Sequence, residues 1–93
     1  MTTQPFRTSE HQEAIDFRQS RIDEFRNIHT DYFQQVRVEF ADNTRANFNL
    51  HLLNLAILKM QDQVVLIQPI EWMELHTEAL RAIYEMRIAM GVI

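Results

Sequence analysis

The sequence predicts an α+β fold: a small, mostly antiparallel sheet packed against two long helices, in the order α-β-β-α-β-α. Three observations lead there. An apolar stripe at helical spacing occupies the N-terminal third, the period changes to two between Gln35 and Leu50, and a second helical pattern follows Pro69.

The first element opens at Ser9-Glu10-His11-Gln12, which reads as a capping box, with the serine hydroxyl accepting from a free backbone N–H and Gln12 reaching back. At about 100° per residue, Ala14, Ile15, Ile22, Phe25, His29, Tyr32 and Phe33 share one side and Glu13, Asp16, Asp23 and Glu24 the other. That pattern predicts a helix over residues 10–33. From Gln35, Val36, Val38 and Phe40 alternate with Arg37 and Glu39. Asp42-Asn43-Thr44 supplies turn residues, and Ala46, Phe48 and Leu50 then alternate with Arg45, Asn47 and Asn49. Two strands of a hairpin are expected, their apolar face packing on the helices.

Residues 50–62 admit two readings. Leu52, Leu53, Ala56, Ile57 and Met60 fit a helical stripe, and Leu, Ala, Lys, Met and Gln favour helix, with Asn49 as a cap. The rival is a long second strand and a three-stranded meander; a short helix is preferred. Val64-Val65-Leu66-Ile67 reads as a buried strand. Pro69 suits the first position of a helix and Glu71 its positive end, so the final helix should run from Pro69 to Met90, with Gly91, the single glycine, as its left-handed cap.

At 93 residues the chain holds one domain, 1–93, with residues 1–8 expected as a loose N-terminal segment. A 46% hydrophobic and 24% charged composition is that of a globular chain. One glycine and two prolines leave no room for Gly-rich phosphate loops. The absence of cysteine removes thiol catalysis, disulfides and cysteine zinc sites, and fits the cytoplasm. No signal-like N-terminus is visible, and Leu50–Met60, the most apolar run, is broken by His51, Asn54 and Lys59, so no membrane span is expected. Net charge is −4, shared between the halves, which disfavours general affinity for nucleic acid.

Catalytic and metal motifs are missing where the chemistry needs them. HExxH is absent, and no carboxylate precedes a histidine by three or four residues, which removes the Glu-x-x-His pattern. Ser9 reads as a cap and Ser20 as mid-helix, so neither is a nucleophile. Glu74, Glu78 and Glu85 share a solvent arc with Arg81. No enzyme, cofactor, metal or small-molecule substrate is inferred.

The final helix is the informative segment, because its apolar arc spans over half the circumference, more than one small sheet needs to cover. The expectation is a homodimer, or docking to another protein, through Trp72, His76, Ala79, Ile83, Met86, Arg87 and Met90. Arg18 and His29 fall on the apolar stripe of the first helix, eleven residues apart, as do His76 and Arg87 on the last. Arg18 and Arg87 must snorkel, pair, or meet an acidic group, and Arg18 with His29 is a candidate contact for an anion or an acidic partner. The runner-up is a nucleic-acid-binding regulator reading bases with Arg37, Arg45, Asn47 and Asn49 from the hairpin. The leading expectation is a small acidic adaptor, inhibitor or regulator.

Overall fold

The computed structural model describes residues 9–65 and 69–92. They form three helices, α1 (Ser9–Glu39), α2 (Thr44–Gln63) and α3 (Pro69–Ala89), with no strand among the described residues. The fold is all-α, which corrects the α+β expectation and dissolves the predicted sheet.

The physical reason lies in residues 36–50. Val36 and Phe40, like Ala46 and Leu50, stand four apart and so share a helical face as readily as a strand face. All four turn toward the core, whereas Val38 and Phe48, which a sheet would have buried beside them, are 82% and 59% exposed. The alternation was a core stripe interleaved with apolar surface residues. Packing overrides the β-preference of Val36 and Val38, which is weak in any case.

The turn falls where Asp42-Asn43 predicted one, but it joins two helices. The Asn43 N–H donates to the Phe40 carbonyl at 2.9 Å. The Asn43 side chain then caps α2, its Oδ1 accepting from the Ala46 N–H at 2.9 Å with the backbone extended at φ −82° and ψ 102°. Asn47 Nδ2 donates to the carbonyls of Ala41 at 3.1 Å and Asn43 at 2.9 Å. The helical choice for 50–62 holds, and the helix begins earlier, at Thr44. Of the predicted third strand, Val64 and Val65 lie in a turn after α2, while Leu66 and Ile67 fall outside the described residues, as do residues 1–8.

α2 runs antiparallel to both neighbours and α1 parallel to α3. Arg45 and Asn43 on or before α2 meet Glu85 and Ala89 of α3, and Gln61 meets Gln19 of α1 at 3.2 Å. Along α1 and α3, Arg18, Arg21 and Tyr32 meet Trp72, His76 and Arg87 in that order. The bundle measures 59 × 21 × 20 Å. Ala46 and Ala56 of α2 and Ala79 and Ala82 of α3 are buried, and these small side chains let two helix axes approach closely, making α2–α3 the most extensive contact. Ile22, Phe25 and Val36 of α1 close the core over Leu53, Ile57, Met60, Trp72 and Met86. Gly91 ends α3 as expected, at φ 78°. Its N–H donates to the Ile88 carbonyl at 3.1 Å and the Val92 N–H to the Arg87 carbonyl at 2.9 Å, a Schellman arrangement.

Candidate interaction surface

The predicted α3 seam lies largely inside the chain's own core. Trp72, Ala79, Ile83 and Met86 are buried against α1 and α2, His76 and Met90 are half-buried, and only Arg87 is exposed. His76 packs edge-on against Phe25 at 5.4 Å, and its Nε2 accepts from Arg21 Nε at 3.2 Å. That bond assigns the ring proton to Nδ1. Burial, and then the positive charge of Arg21, lower the His76 pKa below 6.5. Arg21 in turn pairs with Glu24 at 2.6 Å. Arg87 Nε donates to Tyr32 Oη at 2.7 Å. The wide apolar arc of α3 is nonetheless real: Ile70, Met73, Leu80 and Tyr84 remain exposed on the flank beside the buried seam.

The candidate anion contact does not assemble. Arg18 is 8% exposed with its guanidinium 5.3 Å from the centre of the Trp72 ring, a cation–π arrangement that lets it lie within the apolar stripe. His29, eleven residues along α1, stacks on Phe33 at 6.1 Å and faces His51 and Asn54 of α2; burial lowers its pKa. Among the described residues no group of three His, Asp or Glu side chains is placed to hold a metal ion, and no helix is long and apolar enough to cross a membrane.

The proposed base-reading face disperses once the hairpin becomes helix. Arg37 lies over the Phe33 ring at 5.7 Å, and Arg45 is ion-paired with Glu85 across α2 and α3. Asn47 is used by the α1–α2 turn, and Asn49 is buried, donating to the Arg45 carbonyl at 3.0 Å. Arg45 and Asn49 line one surface between α2 and α3 and Asn47 another beside His29 and Phe33, so the single hairpin face that was expected is not formed.

What the structure adds is an apolar face on α2 turned away from α1. Phe48, Leu52 and Leu55 stand at spacings of four and three, each exposed, and Lys59 continues the line. With Ala56 and Ala82 as floor, they form one wall of a groove of about 550 Å³, whose other wall is Glu78, Arg81 and Glu85 of α3. Sequence reasoning assigned Phe48 to a sheet and so missed this face. A helical projection begun at Thr44 shows two stripes, a core one through Ala46, Leu50, Leu53, Ile57 and Met60 and an outer one through Phe48, Leu52, Leu55 and Lys59. Comparison of the chain with protein-family models, curated proteins and solved structures finds no match.

Proposed function

We propose that the chain is a non-catalytic protein-docking module, an adaptor, inhibitor or regulator that works in the cytoplasm, and that the α2–α3 groove is where it binds. The observation that carries this reading is the line of Phe48, Leu52 and Leu55 outside a core that is already closed beneath them. Large apolar side chains in one row beside a groove lose free energy in water and gain about 25 cal/mol for each Å² that a partner covers. The row and its charged far wall suit an amphipathic helix, whose apolar positions recur at the same spacing. Arg45, Lys59 and Arg81 alternate with Glu78 and Glu85 around the rim, so register would be chosen by charge.

The test is selection of helical peptides from a displayed library on the immobilised protein, repeated on Leu52→Glu/Leu55→Glu. Binders that recognise the original chain and lose the variant are expected. Binders indifferent to the substitutions contradict the reading, as does failure to select any on a chain that is monomeric under the conditions of selection.

A further inference from the structure

We propose that the α2 face is occupied by the α2 face of a second copy, the two helices running antiparallel about a two-fold axis between Leu52 and Leu55. The proposal rests on the docking reading above and names the partner. It comes from the order of residues along the outer stripe: Arg45, Phe48, Leu52, Leu55, Lys59 and Asp62, spaced three, four, three, four and three. That spacing reads the same in both directions. Laid antiparallel on itself, the stripe puts Leu52 against Leu55 of the second copy, Phe48 against Lys59, and Arg45 against Asp62. The ammonium and its aliphatic stem then lie on an aromatic ring, and each end of the contact carries an opposite-charge pair. Because the interface is isologous, every pair occurs twice.

The wider face carries the same polarity. At the Arg45 end stand two guanidiniums, Arg45 and Arg81, and one carboxylate, Glu85. At the other end Lys59 is set among Asp62, Glu71, Glu74 and Glu78. Antiparallel pairing lays the cationic end on the anionic end, whereas parallel pairing stacks four carboxylates on four. A standard interface covers about 800 Å² per partner, roughly an eighth of the 6321 Å² surface.

Because the chain contains no cysteine, introduced ones report without background. Arg45→Cys, Asp62→Cys and the double variant are oxidised and sized, alongside the unmodified chain and Leu52→Glu/Leu55→Glu by sedimentation. Expected are a species of twice 11.1 kDa for the unmodified chain, a monomer of unchanged helicity for the glutamate variant, and an intermolecular disulfide in the double cysteine variant alone. Positions 45 of the two copies are then about 26 Å apart along the axis, out of each other's reach. A disulfide in Arg45→Cys alone overturns the antiparallel assignment. A chain that stays monomeric at all attainable concentrations overturns the second copy as occupant. If helical peptides are still selected and lost on Leu52→Glu/Leu55→Glu, the docking reading survives that failure; if none is selected, both fall.

Discussion

Replacing Asn43 with alanine removes two side-chain bonds, one that caps α2 and one that ties the α1–α2 turn to the end of α3. Its Oδ1 holds the Ala46 N–H at the start of α2, and its Nδ2 donates to the Ala89 carbonyl at 3.0 Å, at the end of α3. Ala46 is fully buried, so its N–H has no water to turn to. Loss of an N-cap costs about 1 kcal/mol and loss of a side chain to carbonyl bond about 1 more, a total of about 2 kcal/mol. For a domain of this size that corresponds to a melting temperature lower by roughly 8–16 °C. Asn43→Ser keeps an acceptor for the cap but is too short to reach Ala89, so it should lose about half as much. Urea unfolding followed by far-UV circular dichroism, at one fixed protein concentration, measures both. A loss below about 0.5 kcal/mol for alanine, or equal losses for serine and alanine, would refute the double role.

Met86 is fully buried in the α3 seam, so Met86→Ala should cost about 2–5 kcal/mol, and Met86→Glu should unfold the chain; a folded glutamate variant would remove this seam from the core. Leu55→Glu on the outer stripe, by contrast, should change the intrinsic stability of the folded chain by no more than about 0.5 kcal/mol, read at a concentration low enough to suppress association. Burial and Arg21 lower the His76 pKa in the folded chain, so the unfolded chain binds the proton more readily. Stability should be complete above pH 6.5 and fall as pH drops below that value toward the folded one, with His29 adding in the same direction. Urea midpoints across that interval should show it, and His76→Gln should flatten the slope; stability that rises with acid contradicts the assignment. Gly91→Ala meets no steric obstacle but forces a Cβ into φ 78°, which should cost about 1 kcal/mol in thermal unfolding; no change would argue against the left-handed cap.

The ends of α3 and the turn at Asp42-Asn43 were the most legible features, because the chemistry of Pro69, Gly91 and the turn residues is local. The inner helix ends were not: α1 continues past residue 33 to Glu39, and the cap expected at Asn49 falls at Asn43, with Asn49 buried within α2. The stretch from Gln35 to Leu50 was not legible, because periods of two and 3.6 coincide at a spacing of four. Only the exposure of Val38 and Phe48, a property of the assembled bundle, separates them. Most of the apolar arc read on α3 is absorbed by the chain's own core, and part of it is left exposed. The residues left outside, Ile70, Met73, Leu80 and Tyr84, are not those of the predicted seam, since α1 covers the seam and no sequence pattern stated where α1 would lie. The docking face on α2 was hidden by the same misassigned hairpin. Once α2 is a helix from Thr44, its second stripe needs no further information than the sequence.

The placement of the interface on α2 is tested most directly by amide NMR spectra recorded over a series of protein concentrations. Shifts that grow with concentration along Arg45, Phe48, Leu52, Leu55, Lys59 and Asp62, and spare Ile70, Met73, Leu80 and Tyr84, are the predicted result. Spectra that do not change with concentration, or changes confined to the α3 flank, would contradict it.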